Sequence, residues 1–420
     1  MVKTAGYTLF IKVFSAILSF LLIVAISQLM EVADRGVCSL YLVVVVVVMI
    51  VSDFAGGATA AYQLNHFEAY ELFIFQRNWS FVPGIVVPIF FWLTGYINLS
   101  DALMLIPASW FYTNWNMLQH LWLGKQQFKI FNAFTLGVPA VSLALFTLIW
   151  ALGLHNRAAY LLALVGSWGI AFLVSWVLFM KKQDTKLITP GKVIFKKVIA
   201  AAGTNQLGHL AGLLHSRLIF LLLPATTLGV YSNALTLAEA CFMVPGSLGQ
   251  VVYSIGASKQ PEAAKRQVLR LAWWTNFLLL ALAGIVFAIL PGGVYSFIFG
   301  EGFRGMSQYM QWLIPGIWGN GFYLLLTYWQ SAAGKFKYNL ISQLAALLGN
   351  IVITVVFLIK DMYTLEAGIF ALVSGWFIAA CGGLYMLHNK GGGLQQLLPV
   401  PSFNKIAHLL PKLFNKQNPA

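Results

Sequence analysis

The residues with the most chemical capacity stand inside long apolar runs. Ser232, Thr236 and Glu239 recur at i, i+4 and i+7, so on a helix they share one face. At about 1.5 Å per residue, Glu239 stands ~16 Å into a helix starting near residue 228, close to the middle of a ~30 Å hydrocarbon layer. A carboxylate at that depth could line a path or bind a coupling proton or sodium ion. It could also make a single interhelical hydrogen bond. A second group places Asn205, His209, Gly212 and Ser216 on one face, with Gln206 and Arg217 beside it. A guanidinium turned into a cavity can clasp a diphosphate through two parallel N–H···O bonds. One near a membrane boundary can instead extend to water.

A third group is Ser109, Thr113, Asn116 and His120, at i, i+4, i+7 and i+11, flanked by Trp110, Trp115 and Trp122. Such a stripe suits a polar path, and its rings could stack on sugars, although tryptophans also gather at membrane interfaces. Asp53 falls near one membrane surface, as a cap, an ion-pair partner or a coupling group. Lys12 is expected there too, as an anchor or a phosphate contact. Other chemistries find no support. There is no glycine-rich phosphate loop with its lysine, and no nucleophile with a positioned base. Cys38, Cys241 and Cys381 are far apart and have no metal-ligand or disulfide spacing. The expectation is a transporter without ATPase, metal or cofactor, and not an enzyme.

The elements that position these groups follow from composition. The 420 residues are 60% hydrophobic and 9% charged, where a soluble domain carries about a quarter charged residues. Too little polar surface is left to keep a folded chain in water, and the apolar residues come in blocks long enough to span a bilayer. The pattern predicts an all-α, polytopic membrane protein of about twelve helices, at 5–27, 37–61, 79–98, 101–123, 130–153, 158–180, 199–223, 228–256, 269–290, 306–333, 337–359 and 364–387. The valine run Val43–Val48 would favour a strand in water, but a lone strand in lipid leaves its backbone unpaired, so it reads as helix. Pro315-Gly316, with Gly319 and Gly321, is expected to break the tenth helix, as a possible hinge.

The net charge of +14 would suggest nucleic acid in a soluble protein. Here its distribution matters more. With the N-terminus inside, the inner segments hold 21 of the 26 Lys and Arg residues, and the outer loops hold Arg35, Arg157, Arg304 and Lys360. That bias predicts both termini on the cytoplasmic side, and nucleic acid is not an expected partner. The expected organisation is a six-helix lobe at 1–180, a basic cytoplasmic linker at 181–198, a second six-helix lobe at 199–387, and a basic tail at 388–420. The halves show signs of repetition. Gly36-Val37-Cys38-Ser39 and Gly229-Val230-Tyr231-Ser232 each open the second helix of a half. Gln127–Asn132 and Lys335–Asn339 each follow the fourth. Two parallel six-helix repeats with a central cavity form a transporter architecture.

Several of these segments resemble the O-antigen and polysaccharide flippases of the multidrug/oligosaccharidyl-lipid/polysaccharide (MOP) exporter superfamily. The strongest stretch is Leu228–Ala234, followed by Leu237-Ala238-Glu239 and Pro245. Ser52–Gly56 is similar to the Asp-x-Gly segment ending the family's second helix, with one extra residue. Gly124–Asn132 is similar to its short basic loop after the fourth helix, and the twelve-helix plan agrees along nearly the whole chain. Where many relatives carry an acidic residue before the arginine of the seventh helix, this chain has His215-Ser216-Arg217.

The resemblance implies translocation of an undecaprenyl-diphosphate-linked oligosaccharide across a bacterial inner membrane by alternating access. Its expected partners are the lipid-linked glycan, membrane lipids, and a polysaccharide polymerase and glycosyltransferases. The alternatives are a drug or cation antiporter of the same superfamily, a lipid II flippase, and, from another class, a membrane polymerase or ligase. The last would need a long outer loop with catalytic residues.

Overall fold

The structure, a computed structural model, describes residues 2–55, 64, 67–181, 192–256, 258 and 260–389. Most of the basic linker, nearly all of the tail, and Gly56 lie outside the described residues. The helices are α1 Val2–Leu29, α2 Val32–Ser52, α3 Ala69–Leu93, α4 Leu99–Gly124, α5 Phe128–Ala151, α6 Arg157–Met180 and α7 Lys192–Arg217. They continue as α8 Ala225–Cys241, α9 Met243–Gly256, α10 Glu262–Ile289, α11 Gly292–Phe299, α12 Met306–Ala332, α13 Phe336–Ile359 and α14 Leu365–Asn389. No strand occurs among the described residues, so the all-α expectation holds, and the valine run is helical.

Among the described residues, eight segments are long and apolar enough to cross a membrane: α1, α2, α5, α6, α8 with α9, α10, α13 and α14. The helices α3, α4, α7 and α12 have comparable length, 25 to 27 residues, with more polar content. With those four the long segments number twelve. Their surfaces suit lipid: Phe90, Ile170, Leu278, Ile285, Leu348 and Val352 are all exposed.

The chain divides into two compact units, one of Met1–Ala234 with Pro291–Met306, the other of Leu235–Leu290 with Ser307–Ala420. In the first, α2 runs through the interior with Tyr41, Val44 and Val48 fully buried. α3, α4 and α6 meet in an aromatic core, where Phe73 and Trp122 pack on Phe179 at 5.5 and 5.7 Å between ring centroids. Trp122 Nε1 donates to Ser175 Oγ at 3.0 Å, so the indole N–H is satisfied where no water reaches.

The repeated motif meets itself in this unit. A Cβ on Gly36 would collide with Ala225 O, and one on Gly229 with Val32 O, so only glycines let α2 and α8 approach this closely. In the second unit glycines again set the spacing. A Cβ on Gly321 would strike Leu280, one on Gly249 would strike Tyr328, and one on Gly316 would lie 2.5 Å from Trp376.

Four expectations need correction. The second helix begins at Val32 and ends at Ser52, so Arg35, expected in an outer loop, lies in its first turn. The segment 228–256 is two helices, because Pro245 has no N–H to give to the carbonyl of Cys241 and the ladder breaks at Phe242. The seventh helix stops at Arg217 and passes into a 3-10 turn, Leu218–Leu221, rather than running to residue 223. The run Pro315–Gly321 does not break its helix: α12 continues through it, and its glycines accommodate neighbouring side chains.

Candidate functional site

Inside the first unit, α1, α2, α4, α5 and α6 enclose a cavity of ≈ 590 Å³. α1, α4, α5 and α6 each contribute residues at helical spacing, and α2 contributes Leu42. α1 supplies Lys12, Ser15 and Ser19. α4 supplies Tyr112, Trp115, Asn116, Gln119 and His120. α5 adds Thr135 and Ser142, and α6 adds Tyr160 and Trp168. An i, i+3/i+4, i+7 set aims inward on any helix packed along one side. What differs from an ordinary core is that polar side chains stand here among apolar ones such as Leu22, Phe131, Val138 and Leu164.

Among the described residues, Lys12 is the one charged residue lining this cavity, and no carboxylate lines it. Gln119 is 6% exposed, and neither its Oε1 nor its Nε2 has a protein partner. The indole N–H of Trp115 is also buried and unpaired. Leaving such a group unmet costs about 1–3 kcal/mol, so these atoms need solvent or a ligand. The aromatic side of the wall is preassembled: the Tyr112 ring packs on Trp168 at 4.7 Å and on Trp115 at 5.7 Å. A neutral amide, hydroxyls, a single ammonium and flat aromatic faces can receive a sugar or an anionic headgroup. They offer a buried cation no carboxylate, only the faces of the rings.

Of the residues expected in a cavity, Asn116 and His120 line this one. Ser109 and Thr113, on the same stripe, are fully buried elsewhere. Trp110 packs on Phe81, Phe172 and Phe111 at 4.9, 5.1 and 5.6 Å, as part of an aromatic core rather than the cavity wall. Asp53 caps α2 and is buried, its Oδ1 accepting from Gln76 Nε2 at 3.3 Å.

On α7, Asn205 is half-buried and His209 exposed. The Arg217 guanidinium stands 5.0 Å from the centroid of the Phe220 ring. Ser232 is buried, its hydroxyl donating to Gly229 O at 2.9 Å. Thr236 and Glu239 are half-buried. Arg217 and Ser232 belong to the first unit, Thr236 and Glu239 to the second.

Sequence reading missed two polar clusters in the first unit. Arg35 is 3% exposed and donates through Nε to Asn233 Oδ1 at 2.9 Å, while Asn233 Nδ2 donates to Ser27 Oγ at 2.7 Å. Asp101 accepts from Tyr41 Oη at 2.6 Å and pairs with Arg157 Nε at 3.4 Å, and Arg157 also reaches Asp34 at 3.7 Å. The available signal was that each of these charges abuts an apolar helix start. Gln119 was also missed, although it stands one residue before His120.

Long apolar helices with lipid-suited surfaces define a multi-pass membrane protein, here with a cavity of mixed polar and apolar lining in its first unit. No family model matches the sequence, and no curated protein matches it. Solved structures do. A structure of the lipid II flippase MurJ, in an inward closed conformation, aligns with a TM-score of 0.72 at 14% identity, covering 99% of this chain and 94% of that one. An inward-facing multidrug resistance MATE family transporter of the MOP superfamily aligns at 0.70 and 12% identity, covering 89% and 93%. A MOP superfamily transporter from Pyrococcus furiosus, for which a reversed polarity of the binding pocket is described, aligns at 0.64 and 12%, covering 90% and 92%. The fold is therefore the one used by MOP superfamily transporters.

Proposed function

We propose that the protein is a flippase that carries a lipid-linked oligosaccharide across a bacterial inner membrane, head through the protein and tail in the bilayer. The observation that carries this reading is the first unit's cavity, which sets polar groups and aromatic rings among apolar side chains, with Lys12 the one charged residue among the described lining. A polar head cannot cross hydrocarbon unaided, because its hydrogen-bonding groups would be left unmet. Here Gln119, Asn116 and the hydroxyls replace water, and Lys12 suits a phosphate or an acidic sugar. An antiporter for cationic drugs would need the opposite charge in this cavity. The resemblance in Leu228–Glu239 and Pro245 supports a transporter of the MOP superfamily rather than any one cargo.

The lysine bias supports an orientation with both termini cytoplasmic. A cysteine placed at Gln183, in a cysteine-free background, should then resist an impermeant thiol reagent in intact cells, while one at Ser307 should react. Equal labelling of the two sites would reverse or abolish this topology. The function is tested by deletion in a strain with no second flippase. Surface polysaccharide should disappear while its lipid-linked precursor accumulates on the inner leaflet. Normal surface glycan, or restoration of drug export alone by the cloned gene, would exclude the reading.

A further inference from the structure

The outer side of the same helix pair carries a second feature of different chemistry. Between α5 and α6 runs a groove of ≈ 440 Å³ walled by Ala133, Gly137 and Val141 on one side and Ile170, Val174 and Leu178 on the other. Ile170 and Val174 are about half exposed, so the groove opens away from the unit's interior. Its one charged lining residue is Lys129, in the first turn of α5, at the end of the span where lysines gather. From Lys129 to Val141 is roughly 18 Å along the helix, a little over half of a ~30 Å hydrocarbon layer, which is one leaflet.

We propose that this groove seats the polyisoprenyl chain of the lipid-linked substrate, with its phosphate at Lys129. The inference rests on the flippase reading. Three observations carry it. The groove is a single channel, which fits a one-chain phosphate lipid and would leave one acyl chain of a phospholipid outside. Its charge lies at one end only, where the phosphate of a lipid in the basic-side leaflet would lie, and basic sites between helices on that side suit anionic headgroups. The groove and the polar cavity share a wall: Val138 lines both, and the Ser142 hydroxyl, on the cavity side, donates at 2.8 Å to Ser167, on the groove side. The tail can thus lie outside α5 while the glycan enters the cavity on its other face.

The test uses the full-length protein in lipid nanodiscs and a polyisoprenyl monophosphate carrying a diazirine on its chain. Labelling should fall on α5 and α6 peptides. Gly137→Leu fills the channel, and its new Cβ meets nothing within 4 Å, so the fold should tolerate it. Labelling should then fall by about tenfold, the change expected when a buried chain loses ~1.4 kcal/mol of contact. Ala133→Leu provides an independent second block. Lys129→Gln should weaken labelling by the phosphate probe and leave labelling by the uncharged polyisoprenol unchanged. Leu148→Ala, on the exposed face of α5 outside the groove, should change nothing.

Labelling insensitive to both filling variants overturns the proposal. So does equal labelling by a diazirine phosphatidylglycerol that competes one for one with the isoprenyl probe, which would make the groove a site for bulk lipid. The two readings fail separately. If the deletion strain keeps normal surface glycan while labelling stays specific, the flippase reading falls and the groove stands. If glycan is lost on deletion yet Gly137→Leu and Ala133→Leu restore it fully with undiminished labelling, the groove alone falls.

Discussion

The two units differ in what their helix faces meet. In the first, helices α1, α4, α5 and α6 surround a cavity of mixed polar and apolar lining, and the buried amide of Gln119 has no protein partner, as that of Asn276 has none in the second. In the second, glycines bring helices into contact: Gly321 under Leu280, Gly249 under Tyr328, Gly316 under Trp376. A close-packed interior transmits strain and tolerates little change in volume, whereas an interior with a cavity gives up packing contacts to keep space. The first unit thus keeps space beside its polar groups, and in the second glycine sets the spacing of several helix pairs.

The largest effects should come from filling the close-packed unit. Gly321→Leu has no room beside Leu280, and overpacking of this kind costs about 1–3 kcal/mol or more. Folded protein in the membrane should drop sharply, and the thermal melting temperature of the purified protein should fall. The counterpart in the first unit, Gly137→Leu, should melt near the parent value, because nothing lies within 4 Å of its Cβ position. Matching losses of stability at the two sites would erase the contrast between the units.

The next effect separates function from stability at the cavity. Gln119→Leu removes two unpaired polar atoms and keeps side-chain volume, so stability should be unchanged or slightly higher, by up to about 1 kcal/mol. Transport, read as surface polysaccharide at matched protein level, should fall by roughly tenfold, equivalent to ~1.4 kcal/mol of lost interaction. Lys12→Gln should lower it similarly if the head is anionic. A destabilised Gln119→Leu protein with normal transport per molecule would make the amide a structural group and the cavity an incidental one.

Much of this was legible in the sequence, for physical reasons. Helices in lipid must satisfy their own backbone, so apolar runs locate the spans, but polar first turns do not show in them, and the third helix starts at Ala69 where 79 was expected. The 3.6-residue period then put Asn116 and His120 on an inward face. Periodicity says which residues share a face, but not which neighbour covers it. Trp110 stands on the same helix yet meets Phe81 and Phe172 instead of the cavity. Lys12 read as a membrane anchor because nothing in the sequence shows α1 facing α4. Pro315–Gly321 read as a break because proline and glycine weaken helices in isolation. In place, the glycines make room for bulky neighbours, and α12 runs through. Arg35 read as a loop residue because the helix start could not be placed within five residues.

The smallest effect is expected at Arg217, which bears on whether cargo contacts extend beyond the cavity. Its guanidinium stands over the Phe220 ring at 5.0 Å, a contact worth about 0.5–1 kcal/mol at an exposed site. A lysine can keep a cation over that ring, but it cannot present two parallel donors to a phosphate. If Arg217 only holds the end of α7, Arg217→Lys should transport as the parent and Arg217→Ala should lose a little stability. If it also reads the diphosphate, Arg217→Lys should lower transport severalfold, by under ~1.4 kcal/mol, with melting unchanged, and Arg217→Ala should lower it further. Glu239→Gln supplies the second arm. It keeps shape and hydrogen bonding and removes only the charge, so a loss confined to ion-driven transport would assign it to coupling. Full complementation by Arg217→Ala and Glu239→Gln at normal abundance would confine recognition to the first unit's cavity, and the contrast between the units would then account for cargo binding without the α7 and α8 polar stripes.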